Sequence, residues 1–115
     1  KLLNNFHKIA VCELNEYFSK KRKIFDIKMD LDINPFFKIV FNEVITIQFG
    51  QTASYKTIAR RINNNKAYRA VGLANKRNPV PIIIPCHRII NNNGALGGYG
   101  GGLKLKKQLL EFEAS

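Results

Sequence analysis

Residues 54–74, which read SYKTIARRINNNKAYRAVGLA, decide how the chain folds. Ser54 is a favourable helix N-cap, and the residues after it, to about Ile62, repeat apolar side chains at helical spacing. The asparagines of 63–65 predict a tight turn, because asparagine tolerates left-handed backbone better than most residues. A second helix is predicted from Lys66 to about Ala74. The stretch thus predicts a helix-turn-helix, although many helical hairpins of this kind bind no DNA.

Helical spacing also predicts two elements before this stretch. Residues 2–18 form a first helix with its apolar stripe on Leu3, Phe6, Ala10, Leu14 and Tyr17. Asn34 and Pro35 open a helix that runs to about Thr46, because asparagine caps and proline suits the first turn. Its apolar face is predicted to comprise Phe37, Val40, Phe41, Val44 and Ile45.

A strand and a closing helix complete the predicted elements. Residues 25–32 alternate apolar and acidic or basic side chains, which is the period of a half-buried strand. Pro79, Pro81 and Pro85 bracket three isoleucines in a run too short for a helix and too rich in proline for a central strand. A last helix is predicted over 103–112 with Leu105, Leu109 and Phe112 facing inward.

Positive charge is concentrated in one part of the sequence. The formal net charge of the 115 residues is +11, and residues 50–110 carry eleven lysines or arginines and no acid. A basic stretch of this kind favours a polyanionic partner over an evenly solvated basic surface.

Composition restricts the class of protein. A chain of this length predicts one small domain, or one domain with a remnant of another, and its first residue, Lys1, suggests that a preceding piece is missing. No apolar run approaches the ~18–20 residues of a membrane span, and nothing resembles a signal peptide. Two distant cysteines, Cys12 and Cys86, imply no disulfide scaffold and a reducing compartment, so we expect a cytoplasmic location, or a nuclear one in a eukaryote. Cys12 is expected to be an inert packing residue of the first helix.

Several kinds of site are disfavoured by spacing. The glycines of 97–102 do not form a dinucleotide-binding fingerprint, because the third glycine position falls on Leu103. No phosphate-binding Gly-Lys-Ser or Gly-Lys-Thr is present. Zinc is not expected, because His7, Cys12, Cys86 and His87 lack metal-ligand spacing.

Cys86 is a candidate nucleophile. A lone cysteine is more often a core residue, but His87 and Arg88 follow it directly, and positive charge near a thiol favours the reactive thiolate. On an extended chain, neighbouring side chains point to opposite faces, so a bend or a bridging water would be needed to link Cys86 with His87. This geometry disfavours a cysteine-protease dyad.

The stretch Ile84-Pro-Cys-His-Arg88, preceded by Asn78-Pro-Val-Pro, resembles the active-site motif of the O6-alkylguanine-DNA alkyltransferases. Further similarities to this family follow the order of the chain. They comprise Ser54-Tyr55 with Ile58-Ala59, Arg69-Ala-Val-Gly72 with Ala74, Gly97-Gly-Tyr99, Gly102-Leu103, Lys106, Leu109-Leu110 and Glu113. Resemblance is close over residues 34–115 and loose before them.

The resemblance implies a mainly α fold and two regions. Residues 34–115 would form a small helical bundle, the DNA-binding and catalytic alkyltransferase domain, with a helix-turn-helix that is winged-helix-like. Residues 1–33 would be a short α/β remnant of the family's N-terminal domain.

The family's activity implies irreversible, single-turnover transfer of an alkyl group from O6-alkylguanine in double-stranded DNA to Cys86, by a monomer without cofactor or metal. Glu113 would hold His87, which would draw the thiol proton through a water, and Tyr55 would protonate guanine N3. Arg69 would fill the gap left by the flipped nucleotide. The implied DNA-binding residues are Ser54, Lys56, Arg60, Ala67, Tyr68 and Arg69. The implied substrate pocket comprises Asn78, Ile89, Tyr99, Gly100 and Lys106, in which backbone carbonyls of Cys86 and Ile89 read the exocyclic amine and the Gly100 N–H bonds O6.

Two positions depart from the family pattern, and two other functions stay open. Gly100 stands where serine or arginine is common, and Tyr68 where alanine or proline is usual. One alternative is a helix-turn-helix module that binds alkylated DNA without transfer; the intact Cys86 argues against it. The other is a helix-turn-helix regulator in which Cys86, His87 and Glu113 are incidental.

Overall fold

Five helices and one pair of two-residue strands make up the part of the chain that the structure describes. This structure is a computed structural model, and it describes residues 5–27, 33–97, 99 and 102–115, with only the backbone of residues 5–7. The mainly helical prediction is confirmed. The chain forms two compact units, Lys1–Asp32 and Ile33–Ser115. In the described ranges, no helix is both long and apolar enough to cross a bilayer.

The first unit contains helix α1, Asn5–Phe18, as the apolar spacing predicts. Tyr17 is fully buried, and its ring lies 5.7 Å from that of Phe25. The helix ends where Lys20 adopts a left-handed backbone, with φ 60°. Cys12 was expected to be a packing residue of the first helix. This expectation is wrong, because Cys12 is exposed on α1.

The predicted strand over 25–27 is wrong, and the rest of that prediction, residues 28–32, lies outside the described residues. The backbone N–H groups of Asp26 and Ile27 both donate to Glu13 Oε1, at 3.1 Å. The Glu13 carboxylate thus accepts the two hydrogen bonds that the backbone of a neighbouring strand would otherwise accept. Alternation alone predicts which side chains are half-buried, but it does not supply a partner strand.

The second unit begins with helix α2, Pro35–Val44, which starts where the sequence predicts. Asn34 Oδ1 accepts the Phe36 N–H at 2.7 Å, so the cap satisfies a donor that has no partner within the helix. Val40 and Val44 are fully buried. Ile45 was expected on the same face, but it follows the last helical residue and is 48% exposed.

The predicted helix-turn-helix is present. Helix α3 covers Tyr55–Arg61, and the side chain of Ser54 accepts the Thr57 N–H at 3.0 Å as its cap. Asn63 adopts the expected left-handed backbone, with φ 60°. Helix α4 covers Tyr68–Lys76, two residues later at each end than predicted, because Ala67 N–H closes a turn onto Asn64 instead. Both helices pack on each other and on α2, and the buried apolar side chains among these three helices are Val40, Phe41, Val44, Ile58, Ala59, Val71 and Ala74.

Two short strands pair in parallel across the second unit. Strand β1, Ala53–Ser54, leads directly into α3, and strand β2, Ile89–Ile90, pairs with it through Ala53 and Ile89. The pairing connects the start of the helix-turn-helix to the residues that follow Cys86.

Helix α5, Leu103–Ala114, closes the chain, and only part of its predicted inner stripe is correct: Leu109 is buried and Phe112 is half-buried. Lys106, Leu109 and Glu113 face inward, whereas Leu105 is 41% exposed. The predicted residues and the buried ones are both spaced three or four apart, so the spacing alone does not distinguish the two stripes. Burial of two charged side chains requires partners for them, which apolar periodicity cannot reveal.

Ile58 tests the packing of the helix-turn-helix. Replacing its fully buried side chain by alanine should lower the free energy of unfolding by about 2–5 kcal/mol, because the change leaves a cavity among α2, α3 and α4. The matched control is Ile39→Ala on α2, whose side chain is 52% exposed and should cost far less. Urea unfolding followed by circular dichroism measures both. Equal losses would contradict the described packing.

Candidate active site

Cys86 lies in a 3-10 turn, Cys86–Arg88, and not on the extended chain that the sequence suggested. The turn forms because Cys86 N–H donates to Ile84 O at 2.7 Å and Arg88 N–H donates to Pro85 O at 3.0 Å. All three residues of the turn are buried. The argument from opposite faces of a strand therefore does not apply.

An unusual backbone conformation precedes the turn. Ile82 has a φ of 76°, which is rare for a β-branched residue and costs on the order of 1–3 kcal/mol. Its side chain packs against the buried cluster of Cys86, Tyr99 and Leu109. The chain before Cys86 is thus held by contacts with α5 and with Tyr99.

The Cys86 thiol lies in a polar setting inside the protein. Cys86 is 2% exposed, and burial raises the pKa of its thiol above the ordinary value. Hydrogen bonds from Asn78, from the backbone N–H of Cys86 and from Tyr99, together with the charge of Lys106, act in the opposite direction. The resting thiol is therefore protonated, and Arg88 does not ionise it as the sequence suggested.

Tyr99 and Lys106 flank the thiol with shifted acid–base behaviour of their own. Burial raises the pKa of the Tyr99 hydroxyl above its usual value, so it remains a hydrogen-bond donor. Burial also lowers the pKa of Lys106 to about 8, so a proton on this ammonium is held less firmly than on an ordinary lysine. Lys106 Nζ donates to the Leu96 carbonyl and lies 5.9 Å from the centre of the Tyr55 ring.

His87 belongs to a buried network with Glu113 and Arg88. Its Nε2 lies 2.6 Å from Glu113 Oε2, and both side chains are almost wholly buried. Arg88 donates from Nε to Glu113 Oε1 at 2.8 Å and from Nη2 to Oε2 at 2.9 Å. His87 Nδ1 is buried and has no hydrogen-bond partner among the described residues. The structure thus brings together His87 and Glu113, as predicted, and adds Arg88.

Two asparagines fix the backbone around Cys86. Asn78 Nδ2 donates to Ile84 O at 2.8 Å, and its Oδ1 accepts the Val80 N–H at 2.9 Å, which braces the proline-rich turn. Asn75, on α4, donates from Nδ2 to Cys86 O at 3.2 Å. Sequence reasoning singled out Asn78 but missed Asn75 and Arg88. Arg88 adjoins the cysteine in the motif, but a charge in the sequence does not reveal which carboxylate it pairs with.

The first residues of α3 and α4 form a basic surface with an exposed aromatic ring. Lys56 Nζ lies 5.7 Å from the centre of the Tyr68 ring, and Arg69 Cζ lies 5.9 Å from it. Arg60 is also exposed, and Ala67 is half-buried. Ser54, expected at the DNA interface, acts structurally as the α3 cap.

A cavity of about 350 Å³ opens between this surface and Tyr55. Its lining residues are Tyr55, Tyr68, Arg69, Gly72, Leu73, Lys76 and Asn91. Gly72 and Gly97 let the Tyr55 ring lie close to the backbone: a Cβ on Gly97 would lie 3.1 Å from Tyr55 Cε2 and 3.2 Å from its hydroxyl. Gly97 also has a φ of 72°, which a side chain rarely adopts.

Ile89 and Gly100 are the remaining residues of the implied substrate pocket. Ile89, on β2, is fully buried directly after the turn. Gly100 lies outside the described residues. Among the described residues, no three histidine, cysteine, aspartate or glutamate side chains are grouped as metal ligands would be.

Comparison with known proteins gives consistent matches. The family model for the DNA-binding domain of 6-O-methylguanine DNA methyltransferase matches residues 35–115. The methylated-DNA–protein-cysteine methyltransferase of Methanosarcina mazei is 52% identical over 101 residues, which cover 88% of this chain and 64% of that protein.

Solved structures agree in fold. The crystal structure of Mycobacterium tuberculosis OGT in complex with DNA superimposes with a TM-score of 0.89 at 47% identity, covering 93% of this chain and 66% of that one. The Schizosaccharomyces pombe Atl1 structure, in complex with DNA containing O6-carboxymethylguanine, gives a TM-score of 0.63 at 31% identity, covering 74% and 79% of the two chains.

The chain spans about two thirds of the length of the first two of these relatives. The matched family model extends from the start of α2 to the last residue. The helix-turn-helix and the buried cysteine agree with this match. The chain belongs to the 6-O-methylguanine DNA methyltransferase family.

Proposed function

We propose that this protein repairs O6-alkylguanine in double-stranded DNA by transferring the alkyl group irreversibly to its own Cys86. The observation that carries the proposal is a buried thiol on the same turn as His87, whose Nδ1 is unpartnered among the described residues. The names of the relatives support the same chemistry, since they describe a protein cysteine as the acceptor from methylated DNA.

The reaction begins with the thiol proton. Burial keeps Cys86 protonated, so a base must remove the proton as the sulfur attacks. His87 accepts it at Nδ1 through a water molecule, while Glu113 holds the opposite side of the imidazole ring. Asn78 and Tyr99 donate hydrogen bonds to the sulfur, and the charge of Lys106 favours the anion that forms.

The bond changes at the base complete a displacement reaction. The sulfur–carbon bond forms as the carbon–O6 bond breaks, and the electron pair of that bond moves into the guanine ring. Tyr55 donates its hydroxyl proton to guanine N3, so the base leaves uncharged. The thioether on Cys86 has no good leaving group, and each protein molecule repairs one lesion.

The cavity beside Tyr55 suits the nucleotide that carries the lesion. Its walls combine the Tyr55 and Tyr68 rings with Leu73, and Arg69 and Lys76 supply positive charge for a phosphate. The Cys86 carbonyl already accepts hydrogen bonds from Asn75 and from the Ile89 N–H. A base amine that approaches this carbonyl must share it with those donors.

The first prediction concerns the acceptor atom. Cys86→Ala should abolish transfer and leave lesion binding near normal, because only the thiol is consumed. Intact-mass measurement after incubation with O6-methylguanine DNA should show a gain of one methylene in the parent protein and in the matched control Cys12→Ala, which removes an exposed thiol. Methylation on Cys12 would contradict the proposal. Lesion binding without any gain in mass would favour the binding module, and no preference for the lesion would favour the regulator.

Arg69 allows a test of nucleotide flipping. It is exposed at the start of α4, where it can fill the space that a flipped nucleotide leaves. Arg69→Ala should slow repair of duplex DNA much more than reaction with the free O6-methylguanine base, because flipping costs a few kcal/mol and a free base has no stack to leave. Single-turnover rates on the two substrates measure the loss on each. An equal loss on both would indicate that Arg69 only contacts a phosphate.

Salt dependence tests the basic surface. If four to six phosphates are neutralised, affinity for DNA should fall by about two to three powers of ten between roughly 50 and 200 mM salt, with a slope of about −0.9 per contact. Undamaged DNA should show nearly the same slope, because these contacts carry no base information. Lys56→Ala and Arg60→Ala should reduce the slope, and Lys107→Ala on α5 is the control. A slope that Lys56 and Arg60 do not change would mean that their charges face only solvent.

A further inference from the structure

Arg88 has no role in the reaction described above, yet it is 4% exposed and makes three internal hydrogen bonds. Two of them go to the oxygens of Glu113, and Nη1 donates to Ile47 O at 2.7 Å. Burial of a guanidinium costs several kcal/mol unless its donors are satisfied, so its position next to the active-site histidine needs an explanation.

Arg88 determines the charge of Glu113. A guanidinium stays protonated in proteins, and here it donates to both carboxylate oxygens in a bidentate arrangement. Glu113 is therefore held as the anion, which accepts hydrogen bonds and donates none. The hydrogen between His87 Nε2 and Glu113 Oε2, 2.6 Å apart, must then be on Nε2.

The charge balance decides the state of the other imidazole nitrogen. Arg88 and Glu113 cancel, so a second proton on His87 would leave an uncompensated positive charge in a fully buried cluster, which is costly. Among the described residues, the charged and titratable groups next to His87 are Arg88 on its own turn and Glu113 on α5, while Lys106 and Tyr99 act on the thiol of the neighbouring Cys86. Lys106 also disfavours a further positive charge. The α2–β1 connection contributes no charged side chain: its Ile47 carbonyl and Phe49 ring contact Arg88, and its Gly50 N–H donates to Glu113.

We propose that Arg88 is a positioning residue: by fixing the charge of Glu113 it holds His87 neutral, protonated at Nε2, with Nδ1 free to accept the thiol proton of Cys86. The use of that lone pair rests on the proposed function, whereas the protonation state of His87 does not.

Without Arg88 the balance reverses. Glu113 would lose the guanidinium that balances its charge, and a proton on the imidazole of His87 would then make an ion pair with it. Both ring nitrogens would then carry hydrogens, and His87 could not accept the proton of Cys86. Arg88→Met removes the charge and keeps most of the volume, and Arg88→Lys keeps the charge with different geometry.

Nitrogen NMR of the full chain labelled with ¹⁵N-histidine measures the protonation state without DNA. The chain has only two histidines, and His7→Gln leaves the signals of His87 alone. At neutral pH we expect one protonated and one unprotonated nitrogen in the parent and in Arg88→Lys, and two protonated nitrogens in Arg88→Met. The matched control is Arg22→Met, which removes an arginine paired with Glu16 and Asp26 and should leave the His87 signals unchanged.

The pH profile of single-turnover transfer is the second measurement. Arg88→Met should lose about 10–100-fold in rate at neutral pH and recover as pH rises, because a general base contributes about 10²–10⁴-fold and the imidazolium must first lose its proton. The double variant Arg88→Met with Glu113→Gln should recover rate at neutral pH, because a neutral amide oxygen can accept the Nε2 hydrogen without favouring a cation.

Several results would overturn the proposal. They are a neutral His87 in folded Arg88→Met, a doubly protonated His87 in the parent or in folded Arg88→Lys, and a rate loss that is the same at every pH and is not rescued by the double variant. If Arg88→Met does not fold, the nitrogen pattern of Arg88→Lys decides the matter. A parent that transfers no alkyl group while His87 has the expected pattern would defeat the proposed function but not this assignment.

Discussion

The second unit depends on the hydrogen bonds that the buried carboxylate of Glu113 makes with His87 and Arg88. Glu113 lies one residue from the end of α5, and it joins that helix to the turn that carries Cys86 through His87 and Arg88. It also accepts the Gly50 N–H at 3.4 Å, while Arg88 reaches Ile47 O. Loss of one partner would strand a buried charge at a cost of about 3–5 kcal/mol, so the three elements are fixed together or not at all.

In the proposed function, these contacts of Glu113 explain how the thiol of Cys86 can be buried and still react. An exposed, ionised cysteine would react with any electrophile, whereas burial raises the pKa of Cys86 and keeps it protonated. In the proposed reaction, His87 on the same turn would act as the base, and Asn78 and Tyr99 would donate hydrogen bonds to the sulfur. Selectivity for the proposed substrate would thus arise from its fit beside a protected nucleophile more than from the intrinsic reactivity of the thiol.

Local chemistry in the sequence predicted much of the fold. The caps at Asn34 and Ser54 and the left-handed turn at Asn63 are each set by a side chain near its own backbone, and all three were predicted correctly. The errors concern features that need a distant partner. The predicted strand at 25–27 is absent because Glu13, 13 and 14 residues away, accepts the N–H groups of Asp26 and Ile27.

The candidate site shows the same division. Cys86 and His87 were found from their motif, and the pairing of His87 with Glu113 came from the family resemblance. The role of Arg88 followed from neither, because only the fold places its guanidinium against both oxygens of Glu113. On α5, periodicity correctly predicted that Leu109 is buried but wrongly placed Leu105 on the inner face. The other buried residues are Lys106 and Glu113, whose polar partners lie on other parts of the chain.

The inner stripe of α5 connects the two halves of the active site. Lys106 and Glu113 are seven residues apart, which is two helical turns or about 10 Å along the axis. The first places positive charge near the sulfur, and the second places negative charge at the imidazole. In the proposed reaction, the charge of Lys106 would favour the thiolate that forms and the charge of Glu113 would favour the imidazolium that forms, so both would assist transfer of the proton from Cys86. Arg88 limits the second effect, because it balances the charge of Glu113 and prevents His87 from being protonated before the reaction begins. One rigid helix therefore fixes both electrostatic effects, and a shift of α5 by one turn would remove them together.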